Sequence, residues 1–339
     1  MGDEYPVVRL AAVQAAPVFL NREATVEKAC RLILEAGRNG AQVVGFPEGF
    51  IPGFPQWFWF HTIESKEARQ FYRRLFQNAV EIPSPAVEAL AAACREAGCY
   101  VVMGVNEREP GTMGTLYNTA VYLGPDGKLL GKHRKLIPTM GERLVHGCGD
   151  GSTLGVVQTD FGPIGNLICG ENTNSLLRYT LLAQGERIHV ALWPGFAYGD
   201  YKTMYDSIDI RCRNHAFEGK VFVISATGII SDEIKDAFCR DENDRRAMPT
   251  DGGHSSIINP RGQFIAGPAG DGECILYADA DLAESIDAKV VQDVLGHYNR
   301  FDIFDLRVNR KELKPITYSG EDRSEETDAS LGKSARPGS

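Results

Sequence analysis

Three short stretches of the chain carry residue types that can do chemistry. In Gly165-Asn166-Leu167-Ile168-Cys169-Gly170-Glu171-Asn172 an apolar strand runs into a cysteine. Gly170 permits a sharp turn, and Asn172 or Thr173 can cap a helix that begins at once. A sulfur at such a strand-to-helix turn lies near backbone N–H groups and the positive end of a helix dipole, and both favour thiolate. A nucleophile and a buried structural cysteine both fit these residues. In Phe46-Pro47-Glu48-Gly49-Phe50 a carboxylate directly follows an apolar strand. Strand ends in α/β folds carry catalytic groups, although an exposed loop acid reads the same way. In Gly131-Lys132-His133-Arg134-Lys135-Leu136-Ile137-Pro138 a basic cluster ends a strand. Period-two alternation puts His133 and Lys135 on one face, and Lys132 and Arg134 on the other, which reads as solvated. An inward lysine needs a carboxylate partner, and Glu48 is the candidate.

The rest of the chain offers less. There is no P-loop, no H-E-x-x-H, no G-x-S-x-G and no clean G-x-G-x-x-G. The seven histidines do not fall at metal-ligand spacing, so no metal site is expected. The eight cysteines, at 30, 94, 99, 148, 169, 212, 239 and 274, form no C-x-x-C pair and read as reduced thiols, mostly buried. Arg211, Arg213 and His215 read as a solvated or interfacial helix face, and His254 and His297 as structural histidines. The aromatic run Phe54-Pro55-Gln56-Trp57-Phe58-Trp59-Phe60 and the Trp193-Pro194 pair after a strand read equally as core or as pocket lining.

These groups need a scaffold, and the composition permits one. The 339 residues are 43% hydrophobic and 24% charged, which supports a sizeable core and excludes a disordered, collagenous or coiled-coil chain. At roughly 150 residues per domain the length suggests about two domains, yet one α/β domain runs this long and no linker or repeat divides the chain. The net charge of −9 argues against nucleic acid or an anionic membrane surface as partner. No apolar run approaches the roughly 18 residues of a membrane helix, and the N-terminus lacks the pattern of a signal peptide, so a cytoplasmic location is expected.

Helical spacing covers 24–37, and helices are also predicted over 64–80, 84–98, 173–185 and 205–219. Strands are predicted at 8–14, 41–46, 100–105, 188–193, 221–226 and 274–280. Hairpins are predicted at 117–135, at 154–169 and around the Pro260-Arg261-Gly262 turn. Strands alternating with helices at both ends give a layered α/β protein. The polar stretch 319–339 reads as a disordered tail.

Glu after Phe-Pro, Lys in His-Arg-Lys-Leu, and Cys followed by Glu at the second position beyond it resemble the Glu–Lys–Cys pattern of the nitrilase superfamily of carbon–nitrogen hydrolases. The likeness runs from Ala12-Val13-Gln14 to about Asn309, and several words resemble its nitrilase branch. They are Phe50-Ile51-Pro52-Gly53-Phe54-Pro55 with Trp57 and Trp59; Lys135-Leu136-Ile137-Pro138-Thr139; Glu142-Arg143 before Gly147; Gly149-Asp150-Gly151; Leu177-Arg178-Tyr179 with Ala183-Gln184-Gly185-Glu186; and Gly296-His297-Tyr298-Asn299-Arg300. Two positions depart from the usual pattern: Gly170 and His146 stand where many nitrilases carry Trp.

The resemblance implies a four-layer α-β-β-α sandwich formed by residues 1–318, with two stacked mixed sheets and helices outside. It implies Glu48, Lys135 and Cys169 as the reacting groups, with Glu142 as an additional acid. It places part of the Phe54, Trp57 and Trp59 run over the mouth of a substrate pocket, with Trp193 and Pro194 lining it and His146 and Gly170 bordering it. The implied reaction is hydrolysis of a nitrile by water to the carboxylic acid and ammonia through a thioimidate and a thioester on Cys169, with no metal or organic cofactor. Alternatives are an amidase using the same groups, nitrile hydration that releases the amide, and a filament-forming or binding protein without catalysis. Homo-oligomers, dimeric or larger and including spirals, are implied as well.

Overall fold

The computed structural model describes residues 3–196, 201–248 and 252–316. The polar tail expected at 319–339 lies outside the described residues. Strands β1 (Val7–Gln14), β2 (Val43–Gly45), β3 (Tyr100–Arg108), β4 (Leu116–Leu123), β5 (Leu129–Arg134), β6 (Ile164–Ile168), β7 (Ile188–Trp193), β8 (Phe222–Thr227), β9 (Ser256–Ile258), β10 (Phe264–Ala266) and β11 (Cys274–Asp281) build two mixed sheets. One has the order β11-β1-β2-β3-β4-β5 and the other β10-β9-β8-β7-β6. Helices α1 (Arg22–Arg38), α2 (Lys66–Asn78), α3 (Pro85–Ala97), α4 (Ser175–Ala183) and α5 (Tyr201–Gly219) follow in chain order.

The layering follows from strands that are apolar on both faces, as strands covered on both sides must be. In β1, Val8, Leu10 and Ala12 face the second sheet, where they meet Ile188, Val190 and Ile224. Ala11 and Val13 face the opposite way, against Val26, Ala29 and Ile33 of α1 and Leu90 and Cys94 of α3. On the far side Ile208, Cys212 and Ala216 of α5 cover Ala191, Trp193 and Val223. The result is the expected order of helix, sheet, sheet and helix. Helix α1 opens on Asn21, whose side chain accepts from the Ala24 N–H, and it buries the Val26, Ala29, Ile33, Ala36 stripe read from the sequence. Helix α3 has Pro85 at its start and closes on Gly98 at φ +67°.

Several elements differ from the sequence reading. The hairpin expected over 154–169 is a single bridge between Val157 and Ile164, because β6 pairs in parallel with β7. The helix expected from Thr173 begins at Ser175, capped by Asn174, after a tight 3-10 turn over Cys169–Thr173. Lys132 and Arg134 are not a solvated face. The Lys132 Nζ donates to Glu107 Oε1 at 2.5 Å, and the Arg134 guanidinium donates to both Glu107 oxygens at 2.6 and 3.0 Å. The buried Glu107 carboxylate draws both bases in, since it would be costly unpaired.

The residue that brings the Glu48 loop closest to the sheet is Gly104 in β3. A Cβ there would lie 2.4 Å from the Pro47 carbonyl oxygen, 2.6 Å from Gly49 N and 2.8 Å from Glu48 Cα, all backbone atoms that cannot swing aside. Gly104→Ala is therefore expected to lower stability by about 1–3 kcal/mol, the usual range for overpacking. It should also lower turnover, because the loop that moves carries Glu48. Denaturant melts paired with activity assays check this, and wild-type values in both would refute the close fit.

Candidate active site

Four segments deliver four side chains to one place at the carboxyl ends of the strands. Glu48 follows β2 in a loop tied to both sheets: Phe46 N donates to Val102 O at 2.9 Å, and Glu48 N to Trp193 O at 3.1 Å. Lys135 directly follows β5, and its N–H donates to Asn118 O at 2.8 Å, which carries the β4–β5 pairing one residue further. Glu142 sits in the 3-10 turn Met140–Leu144. Cys169 directly follows β6 at φ +50°, a left-handed conformation that costs a non-glycine residue about 1–3 kcal/mol.

The Lys135 ammonium is fully buried between two carboxylates. Its Nζ donates to Glu48 Oε1 at 2.8 Å and to Glu142 Oε2 at 2.6 Å. Asn118 Nδ2 spans the same pair, at 2.6 Å from Glu48 Oε1 and 2.9 Å from Glu142 Oε1. Glu142 Oε2 also accepts from Thr139 N at 2.8 Å. Glu48 Oε2 is buried with no hydrogen-bond partner among the described residues. The two carboxylates therefore differ. Burial pushes Glu48 up to about 7, against the pull of Lys135 and with the repulsion of Glu142. Burial also acts on Glu142, but the Lys135 charge and His146 outweigh it and hold that carboxyl down to about 2. Lys135 is held above its ordinary value: burial opposes its charge, and Glu48, Cys169 and Glu142 overrule it.

Cys169 is half-buried, with its thiol closely surrounded by protein. Burial and then the Glu48 charge push the thiol upward, against Lys135. The sequence expectation of a stabilised thiolate is thereby corrected. The turn after Cys169 is one short 3-10 turn rather than the start of a long helix, so its dipole is too weak to offset desolvation and two carboxylates. These influences favour the neutral thiol over the thiolate, and Glu48 is the carboxylate with the largest effect on it.

The elbow is buttressed from behind. Asn172 Nδ2 donates to Leu167 O at 3.0 Å and to Cys169 O at 3.1 Å. Asn172 Oδ1 lies 2.9 Å from His189 Nε2. Glu186 accepts from both imidazoles, 2.8 Å from His189 Nδ1 and 2.7 Å from His215 Nε2. His215 is thus fully buried rather than on a solvated helix face. Glu186, His189 and His215 also bring three ligand-type atoms within 4.8 Å of one another, a grouping invisible to a spacing rule. The carboxylate between the two rings meets one nitrogen of each, and His215 Nδ1 is buried with no hydrogen-bond partner among the described residues.

The expected pocket residues divide. Phe54 packs beside the Glu48 loop, its Cα 3.5 Å from where a Cβ on Gly49 would stand. Trp57 is fully buried and stacks on Phe71 with centroids 5.5 Å apart, so its ring belongs to the core. Trp59 is exposed. The Trp193 ring is buried against α5, and its carbonyl, not its ring, serves the site. Pro194 is buried next to it. His146 lies behind the cluster, its Nε2 2.9 Å from Asn106 Oδ1 and its Nδ1 3.6 Å from Glu142 Oε1. A Cβ at Gly170 would meet the Thr139 hydroxyl at 2.9 Å, which ties this position to the Glu142 turn. Sequence reasoning missed Asn118 and the backbone contact of Thr139, and it read Asn172 as a helix cap, a place that Asn174 takes. A polar residue amid the apolar β4 run Leu116–Leu123 was the one signal for Asn118.

Comparison with known proteins identifies a family. The carbon–nitrogen hydrolase family model matches residues 9–290. The chain is 39% identical to a nitrilase of Bacillus sp. (strain OxB-1) over 323 residues, covering 95% of this chain and 94% of that protein. It is 37% identical to an aliphatic nitrilase of Rhodococcus rhodochrous over 312 residues, covering 91% of this chain and 84% of that protein. The crystal structure of a carbon–nitrogen hydrolase from Helicobacter pylori G27 superposes with a TM-score of 0.70 at 19% identity, covering 88% of this chain and 97% of that one.

The electrostatics predict the acid limb of the pH profile. With ionised Glu48 as the candidate base, kcat/KM should rise with pH on a limb centred near 7. Glu142→Gln removes a negative neighbour that raises Glu48, so the limb should move to lower pH, with turnover reduced to a small fraction. A pH profile of each enzyme checks this, and an unmoved limb in the variant would refute the coupling.

Proposed function

This chain belongs to the carbon–nitrogen hydrolase family, and on that premise we propose that it is a nitrilase that hydrolyses an organic nitrile to the carboxylic acid and ammonia. The observation that carries the reading is the buried Glu48–Lys135–Glu142 cluster beside a half-buried thiol, with one Glu48 oxygen unoccupied. The similarity to proteins named as nitrilases selects nitrile over amide as substrate.

Glu48 takes the Cys169 proton as the sulfur attacks the nitrile carbon. The developing negative nitrogen is stabilised by Lys135 and the backbone N–H near Gly170, an electrostatic arrangement built before substrate arrives. Protonation of the nitrogen gives a thioimidate. Water, deprotonated by Glu48, adds to its carbon, and the tetrahedral adduct expels ammonia to leave a thioester. A second water releases the acid and returns the thiol. Glu142 holds Lys135 between two carboxylates throughout. We assign Phe54 and Gly170 to the edge of the substrate space, and read residues 1–318 as one catalytic unit.

We further propose a homo-oligomer, dimeric or larger, with spiral assembly among its forms. Leu176 of α4, Ile210 and Phe217 of α5, and Phe301 and Phe304 beyond them are exposed apolar side chains. A cavity of about 890 Å³ lies between α4 and the C-terminal arm, lined by Leu176, Tyr179, Phe304 and Val308 among others, and it contains none of the cluster residues. Apolar surface of this extent supports burial against a second copy. A reducing, cytoplasmic setting fits eight cysteines of which none pairs with another. Among the described residues no helix is long and apolar enough to cross a membrane.

Cys169→Ala should fold and release no ammonia, while the parent releases it from a nitrile panel and far less from an amide panel. Folded Cys169→Ala that still turns over would sink the mechanism; a parent active on amides alone would move the enzyme to amide hydrolysis. Multi-angle light scattering should give at least twice the chain mass, and a fully active monomer would refute the assembly.

A further inference from the structure

The acid two positions beyond the nucleophile, Glu171, has no part in the chemistry above, yet it is buried and touches the backbone on both sides of the cluster. Its Oε2 accepts from Ile168 N at 2.9 Å, the N–H of the residue immediately before Cys169. Its Oε1 accepts from Leu136 N at 2.8 Å, the peptide immediately after Lys135. His133, two residues before Lys135, places Nε2 at 3.0 Å from Oε2 and 3.3 Å from Oε1. The other ring nitrogen, Nδ1, lies 3.2 Å from Thr153 O, so both nitrogens face acceptors and the ring is held as a cation. Burial acts against that charge, and Glu171 outweighs it and raises the imidazole.

Lys135 and Cys169 come from different sheets: Lys135 follows β5 and Cys169 follows β6. Those two strands share no ladder, so no strand hydrogen bond sets the distance between ammonium and sulfur. Ladder pairing reaches Lys135 from Asn118 alone, and Cys169 lies past the last β6–β7 pair, Ile168 with Leu192. We propose that Glu171, charge-balanced by His133, is a positioning residue: it ties the Lys135 segment to the Cys169 elbow and so fixes the nucleophile against the ammonium that stabilises the developing charge. Two charge-assisted hydrogen bonds to backbone on opposite sides make this brace short and stiff. It also holds Ile168 as the chain enters the left-handed conformation at Cys169, which the chain alone disfavours.

The proposal rests on the nitrilase reading for its kinetics but not for its chemical probe. The test uses the full-length enzyme and two variants. Glu171→Gln leaves one backbone acceptor and removes the other together with the charge. His133→Gln keeps both backbone bonds and removes the counter-charge. In each, Cys169 is titrated with iodoacetamide and located by mass spectrometry, so that kcat is expressed per alkylatable Cys169. A displacement of about 1 Å costs on the order of 10²-fold. Glu171→Gln should therefore lose about that factor in kcat per titrated site with KM within about threefold, and its alkylation rate should fall alongside. His133→Gln should lose less, about tenfold, by the same pattern. If Glu171→Gln does not fold, His133→Gln carries the test. A variant with a lowered melting temperature but parental kcat per titrated site overturns the proposal, as do parental alkylation rates in folded protein. If the parent hydrolyses no nitrile, the nitrilase reading fails, and the alkylation rates still decide the brace.

Discussion

A lysine ammonium with no solvent access, held between two carboxylates, is the constraint around which the site is arranged. A single buried ammonium is untenable alone, and one carboxylate would neutralise it. The second carboxylate leaves one negative charge in excess, and that excess does the useful work. The two acids cannot both remain comfortably ionised, so the one with fewer hydrogen bonds becomes the weaker acid. Glu142 accepts from Lys135, Asn118 and the Thr139 backbone across both its oxygens. Glu48 accepts on one oxygen only. Hydrogen-bond supply thus acts with burial and the neighbouring charges to hold Glu142 down as an anchor and leave Glu48 raised toward neutral pH.

That arrangement depends on the packing of two sheets. The lysine and the anchoring acid follow the edge strand β5 of the first sheet, the cysteine follows the edge strand β6 of the second, and the Glu48 loop is hydrogen-bonded to one strand of each. The apolar layer between the sheets, with Leu10, Val43 and Val102 on one side and Val190, Leu192 and Ile224 on the other, sets the gap that the reacting groups span. Apolar residues far from the cysteine thus bear on the chemistry through geometry, and a glycine such as Gly104 matters because it lets a loop lie flat against a strand.

Much of this was legible in the sequence, for a physical reason. Glu48 and Cys169 each stand at the end of an apolar strand and Lys135 at the end of a basic one, and a strand end points to a loop at a sheet edge. The alternation that turned His133 and Lys135 inward held, since both are buried. What could not be read were pairings decided across the fold. Lys132 and Arg134 look solvated until Glu107 on β3 arrives beside them. His215 lies 29 residues from Glu186 and reads as a helix-face residue until the helix docks. A strand-to-helix turn points to a thiolate, and burial with two carboxylates nearby reverses that effect on the sulfur. Trp57 looked as ready for a pocket as for a core, and only its stack on Phe71 separates the two.

The protonated resting thiol follows from the same charge count. With Glu48 and Glu142 ionised, Lys135 charged and Cys169 neutral, the cluster carries one net negative charge. Forming a thiolate by losing its proton to solvent would raise that to two in a buried setting, which is strongly disfavoured. Moving the proton from sulfur to Glu48 leaves the total unchanged, and the new charge appears on the sulfur instead of on the carboxylate. The step becomes a relocation of charge inside a fixed field, and Lys135 lies where it can stabilise either end. In the proposed reaction, attack on the nitrile carbon then removes the charge from sulfur and passes it to the substrate nitrogen. A cysteine placed this way is weakly reactive until an electrophile is bound, so selectivity is built into the charge count and not only into the shape of the pocket.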